Sequence, residues 1–126
     1  MKMYENGSLD KTIKDGPLDA DKICRYFHAL CSALRQLHAC GLVVRDIKPA
    51  NILFDSFDQP VLADFGIAEV VSTATRRHTS IKGTFSYMSP ETFLDPRQAD
   101  YPGVGPPADV WALACVVVEM HTGKDP

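Results

Sequence analysis

Val44-Arg45-Asp46-Ile47-Lys48-Pro49-Ala50-Asn51 is the stretch whose reading decides the fold. Pro49 has no backbone N–H and disfavours helical backbone at Lys48, so the segment reads as a loop. Within it, Asp46, Lys48 and Asn51 set a carboxylate, an ammonium and an amide at short spacing. A solvated turn has the same composition as a chemical site of this kind. The flanking sequence has to discriminate between them.

Upstream, Ile23, Phe27, Leu30, Leu34 and Leu37 recur at intervals of four and three, the stripe of an amphipathic helix. The spacing predicts a helix over 19–40, with Asp19 as N-cap and Gly41 as its stop. Leu42-Val43-Val44 is too short for a helix and leads into the loop. Downstream, Ile52-Leu53-Phe54 and Val61-Leu62-Ala63 are apolar runs joined by the polar, proline-ended stretch 55–60, which predicts a hairpin. From Gly66 to about Thr84 the chain is rich in Ser, Thr, Arg and His without periodicity, as expected of a surface segment able to change conformation. Prolines and glycines over 94–107 predict a long irregular connection. Residues 108–122 are apolar almost all round and predict a buried helix ended by Gly123, although Val116-Val117-Val118 also suits a strand.

Two further polar clusters follow the loop. Asp64-Phe65-Gly66 puts a carboxylate at a strand end before a flexible glycine, a way to hold a hard cation that bridges phosphate oxygens, or simply a turn. Gly83-Thr84-x-x-Tyr87-Met88-Ser89-Pro90-Glu91 is a glycine-led stretch closing on Pro-Glu, also compatible with a loop entering a helix. Taken with the loop, these residue types are those of phosphoryl transfer from a nucleotide. Asp46 can accept or orient an attacking hydroxyl, Lys48 can neutralise charge on the transferred group, and Asn51 offers a neutral oxygen to Mg²⁺.

In order and spacing the three clusters resemble the protein kinase family: its catalytic loop, its Asp-Phe-Gly motif and the end of its activation segment, here Ser-Pro-Glu where Ala-Pro-Glu is usual. The resemblance implies an α+β, protein kinase-like fold, a mainly helical C-lobe fragment with a short β-hairpin and the N-lobe sheet missing. On that pattern 1–9 is the hinge, 19–40 a C-lobe helix, 44–54 the catalytic loop, 64–91 the activation segment and 108–122 the central C-lobe helix. The implied cofactors are ATP and Mg²⁺. Met1 would be the gatekeeper, Lys2 would lie in the nucleotide-contacting hinge, and Tyr4 would offer backbone groups to adenine. Leu53 would lie beneath the base and Ser8 near the ribose, with Asn51 and Asp64 holding the metal. Asp109 would tie down the backbone of the catalytic loop. Lys48 two positions after Asp46 is the serine/threonine pattern, where tyrosine kinases usually have Ala or Arg, and Thr84 would bridge Asp46 and Lys48.

The resemblance extends to regulation and partners. Arg45 before Asp46 implies control by phosphorylation: a phosphate of about −1.5 to −2 charge on Ser80, or on its neighbour Thr79, would pair with Arg45 and order the segment. A protein substrate and an upstream activating kinase are the implied partners. The segment through Gly83-Thr84-Phe85-Ser86-Tyr87-Met88 leans toward mitogen-activated protein kinase kinase kinase-like enzymes.

Several features depart from the pattern. Valine stands at position 44 where most kinases have histidine, which predicts a tuned or weakened enzyme and is the one support for the alternative of a pseudokinase or scaffold. The Gly-rich loop, the strand lysine and its glutamate partner have no match, and Glu91 lacks the arginine that usually pairs with it. The 126-residue chain is thus expected to be a partial domain that alone neither transfers phosphate nor packs stably.

Bulk properties exclude more than they assign. A hydrophobic share of 45%, a charged share of 23% and a net charge of −3 describe an ordinary globular chain without a basic footprint, so neither nucleic acid nor membrane is expected as partner. No stretch approaches the roughly 18 apolar residues of a membrane span, and no N-terminal leader is apparent. Cys24, Cys31, Cys40 and Cys115 form no CxxC pair and are expected as buried free thiols, in a reducing, intracellular setting, the cytoplasm.

Overall fold

The computed structural model describes residues 6–63, the backbone of 69–70, and residues 85–100 and 102–126. Three helices dominate: α1 (Leu9–Lys14), α2 (Ala20–Ala39) and α3 (Pro106–Thr122). Beside them lie two antiparallel two-stranded sheets, one pairing β1 (Leu42–Val43) with β4 (Glu69–Val70) and the other pairing β2 (Ile52–Phe54) with β3 (Pro60–Leu62). Short 3-10 turns occupy Pro49–Asn51, Phe85–Tyr87 and Pro90–Phe93. The helices and hairpin make a mainly helical α+β arrangement, the class the resemblance implied.

The longest helix starts where Asp19 accepts a hydrogen bond from the Lys22 N–H at 2.9 Å, an N-cap worth about 1 kcal/mol. It ends at Gly41, whose φ of 76° is left-handed backbone that glycine adopts without strain. Its inward face is Ile23, Tyr26, Leu30 and Leu34. Phe27, assigned to the stripe from spacing, is 44% exposed. Tyr26 takes the inward position because its ring packs on Phe54 at 4.9 Å between centroids while its hydroxyl reaches the Asp58 carboxylate at 3.0 Å. Burial and that bond push the Tyr26 phenol up to about 12.

The hairpin register pairs Ile52 with Leu62, Leu53 with Val61 and Phe54 with Pro60. The second strand therefore begins one residue earlier than its apolar run, since a proline is tolerated as the first residue of a strand. The turn is closed by the Asp55 carboxylate, which accepts from the backbone of Phe57 at 2.8 Å and Gln59 at 2.9 Å. Asp58 takes left-handed backbone, φ 57°, which Asp adopts more readily than most residues. Two elements escaped the periodicity. α1 is a single short amphipathic turn burying Leu9 and Ile13, and β4 lies in a stretch without apolar alternation, paired through its backbone with Leu42–Val43.

α3 begins at Pro106, two residues before the apolar run, because prolines fit the first turn of a helix, where N–H groups lack partners anyway. It is a helix through Val116-Val117-Val118. Its inward face is Ala108, Asp109, Ala112, Leu113, Val116, Glu119 and Met120, whereas Val110, Trp111 and Val118 are about half exposed, so the expectation of all-round burial is corrected. It stops at Gly123, φ 70°, where a Cβ would lie 3.2 Å from the Pro17 ring. The Leu18 N–H donating to the Met120 carbonyl at 2.8 Å fastens the entry to α2 onto the end of α3.

The thiols are also corrected in part. All four cysteines are free, but Cys24 and Cys40 are exposed; Cys31 and Cys115 are half-buried, and that burial pushes both thiols up.

Candidate active site

The loop at 44–51 is positioned from α3. Asp109 sits in the first helical turn, where the helix dipole favours a carboxylate, and only 1% of it is exposed. One of its oxygens accepts the Arg45 N–H at 2.8 Å and the other accepts the Val44 N–H at 2.9 Å and His38 Nε2 at 2.8 Å. Arg45 has φ 64°, a left-handed conformation that is unfavourable for a long side chain and persists only where the surroundings enforce it. The buried carboxylate supplies that enforcement. Val44, Ile47 and Pro49 are buried beneath the loop, Asp46 and Lys48 are half-buried, and Arg45 and Ala50 are exposed.

Three of the expected site residues come together on this frame. Asn51 Nδ2 donates both to the Asp46 carbonyl and to Asp46 Oδ2, each at 2.9 Å. Lys48 Nζ lies 3.5 Å from Asp46 Oδ1. That oxygen is buried and has no hydrogen-bond partner among the described residues. A buried, unbonded carboxylate oxygen costs about 1–3 kcal/mol, more when charged, and such a group in a loop calls for a ligand-side explanation. With Nδ2 committed to Asp46, the Asn51 amide oxygen is the group left to face a cation. The donor set of carboxylate and amide oxygens suits Mg²⁺.

The remaining calls divide by location. Ser8 makes an antiparallel bridge to Leu53, and the Phe54 N–H donates to the Gly7 carbonyl at 3.1 Å, so these two nucleotide-site candidates are neighbours on the hairpin edge. The Ala63 N–H donates to the Asn51 carbonyl at 2.8 Å, bringing the chain just before Asp64 to the loop. Asp64 itself, Met1, Lys2, Tyr4, Thr79, Ser80 and Thr84 lie outside the described residues. Arg45, the candidate for phosphate pairing, is exposed.

Among the described residues the buried glutamate is not Glu91, which is only half-buried, but Glu119, 6% exposed and bonded to the Tyr87 hydroxyl. Burial pushes the Glu119 carboxyl up, with Asp125 and Asp10 adding to it, and outweighs the lowering by the Tyr87 hydrogen bond. Burial and the same bond push the Tyr87 phenol well up. Sequence reasoning missed this pair and His38. Glu119 was detectable as an acid deep inside an apolar helical run, whereas His38 carried no signal beyond its place in the last turn of α2.

Comparison with known proteins follows the geometry. The family model described as "Protein kinase domain" matches residues 1–126. Mitogen-activated protein kinase kinase kinase 3 of Arabidopsis thaliana is 37% identical over 126 residues, covering 100% of this chain and 22% of that protein. Serine/threonine-protein kinase 36 of Mus musculus is 39% identical over 124 residues, 98% of this chain and 9% of the relative. Serine/threonine-protein kinase PknH of Mycobacterium tuberculosis (strain ATCC 25618 / H37Rv) is 38% identical over 129 residues, 100% of this chain and 20% of the relative. The chain thus spans less than a quarter of the length of these curated relatives. No helix among the described residues is long and apolar enough to cross a membrane. With its entire length matched and its loop held as the residues require, the chain belongs to the protein kinase domain family.

Proposed function

We propose that the protein transfers the γ-phosphoryl of ATP to serine and threonine hydroxyls of a protein substrate, as a kinase related to the mitogen-activated protein kinase kinase kinases. The observation that carries this reading is the Asp46 carboxylate: one oxygen is fixed by Asn51, and the other is buried, without a hydrogen-bond partner among the described residues and 3.5 Å from the Lys48 ammonium. A substrate hydroxyl donating to that free oxygen would satisfy it. Asp46 orients the hydroxyl and takes its proton as the new oxygen–phosphorus bond forms and the bond to the β-phosphate oxygen breaks, releasing ADP, while Lys48 neutralises charge on the group in flight. Asn51 and Asp64 would hold Mg²⁺, which would supply neutralisation of phosphate charge.

The nucleotide's base and sugar are assigned to Met1, Lys2, Tyr4, Ser8 and Leu53, and Thr84 to bridging Asp46 and Lys48. The adjacency of Ser8 and Leu53 supports their part of the assignment. Arg45, exposed and fixed through its backbone, suits a phosphate placed on Ser80 or Thr79 by an upstream kinase. A cytoplasmic setting, where ATP is supplied, belongs to the same proposal. The test is incubation of the full-length protein with Mg²⁺, γ-labelled ATP and separate serine, threonine and tyrosine peptide pools. Label on serine and threonine is expected; label on tyrosine alone, or none above a no-enzyme control, contradicts the proposal.

A further inference from the structure

Residues 6–8 lie along the edge of β2 that β3 does not occupy. Ser8 bridges Leu53 in antiparallel sense, the Phe54 N–H donates to the Gly7 carbonyl at 3.1 Å, and the same register sets Asn6 opposite Asp55. At that last position a side chain makes the contact: Asn6 Nδ2 donates to the Asp55 carbonyl at 2.6 Å. The acceptor is itself held in place. The Asp58 N–H donates to the same carbonyl at 3.2 Å, the Asp55 carboxylate takes the Phe57 and Gln59 N–H groups, and the Tyr26 hydroxyl ties Asp58 to α2. Asn6 therefore fastens the end of a short backbone pairing to a turn that is anchored on the longest helix.

We propose that Asn6 is a positioning residue for the nucleotide: its amide clamps residues 6–8 to the hairpin and keeps Ser8 and Leu53, assigned above to the sugar and the base, side by side before ATP arrives. The role rests on the function proposed above, and Asn6 acts through the backbone of 7–8 and touches no reacting atom. Three features of the segment make the clamp necessary. Gly7 has φ 77°, left-handed backbone that glycine adopts without strain but does not hold by itself. Ser8 is the N-cap residue of α1, yet its side chain makes no capping bond, so its hydroxyl is not taken up by the helix. α1 has six residues, too few to fix its own start. Without the Asn6 bond the segment lifts from β2 part of the time, and a binding-competent arrangement that is only fractionally populated weakens apparent affinity by that fraction. The backbone of the Asp46 loop is placed from Asp109, so the chemical step is untouched.

The experiment compares Asn6→Leu, which keeps the bulk without a donor, and Asn6→Gln, which keeps an amide donor, in the full-length protein. The readouts are the Kd for MgATP by equilibrium binding, kcat, KM for ATP and for peptide, and the denaturant midpoint. Asn6→Leu is expected to raise the Kd and KM for ATP about 2-fold to 10-fold, the range of one hydrogen bond, with kcat, KM for peptide and the midpoint unchanged. Asn6→Gln is expected to recover most of that loss. Equal rises in both variants, a fall in kcat with KM for ATP unchanged, a lower midpoint without a change in affinity, or no effect in either would overturn the positioning role alone. A wild-type protein that binds no MgATP would overturn the function proposed above and the role with it.

Discussion

Two irregular, proline-bearing segments of this chain differ in what holds them. The 44–51 loop is fixed from a distance: its backbone donors go to Asp109 on another element, and its apolar residues are in the core. Among the described residues of the 94–105 connection the side-chain contact is a local one, Asp95 accepting from the backbone and guanidinium of Arg97, whose side chain is 90% exposed. A local turn sets its own shape but not its place relative to the rest of the molecule. A loop tied to a buried carboxylate on a core helix has both, and chemistry requires both.

The contrast is broken most severely by Asp109→Ala, which leaves two loop amides and His38 without their acceptor. A loss of about 3–5 kcal/mol is expected, read as a shift in the denaturant midpoint of the full-length protein; a shift indistinguishable from zero would mean that the loop holds itself. Tyr87→Phe probes the second buried anchor of α3 and strands the Glu119 carboxyl, with an expected loss of about 1–3 kcal/mol. Near-neutral behaviour would show that water or another donor replaces the hydroxyl.

A smaller effect sharpens the same point through pH. Burial raises the Glu119 carboxyl above its ordinary value of 4.5, so the folded state holds the proton more tightly than the unfolded chain. Its stabilising contribution is complete below that value and is lost as pH rises through the higher folded pKa. Glu119→Gln should therefore flatten that part of the stability curve, and an unchanged slope over the window would remove Glu119 as its source. At the local segment, Arg97→Ala should leave both the unfolding midpoint and peptide turnover unchanged, since its side chain is 90% exposed and exposed ion pairs contribute little. A marked loss of turnover would show that the connection also positions the site.

The sequence made the helices, the hairpin and the loop legible because each carries its own local signal. Apolar spacing marks α2, Asp19 and Gly41 mark its ends, and Pro49 marks the loop. It misassigned Phe27 and the start of α3 because spacing cannot tell which of two adjacent aromatics has a partner, and because prolines signal both a loop and a first turn. It missed β4, whose pairing is made by backbone groups that every residue has. At the site, the residue types of Asp46, Lys48 and Asn51 were readable from their spacing. The unbonded Asp46 oxygen, the left-handed Arg45 and the His38 donor were not, since each depends on residues brought together by folding. Glu91 was expected to be the stranded buried charge for the same reason, whereas the fold buries Glu119.

The central claim is that the free oxygen of Asp46 receives the proton of the hydroxyl under attack. Its most direct test is the kcat of Asp46→Asn in the full-length protein with saturating Mg²⁺, ATP and peptide, because the amide preserves shape but not basicity. The account predicts a fall of about two to four orders of magnitude with nucleotide binding retained, and turnover within a few-fold of wild type would contradict it.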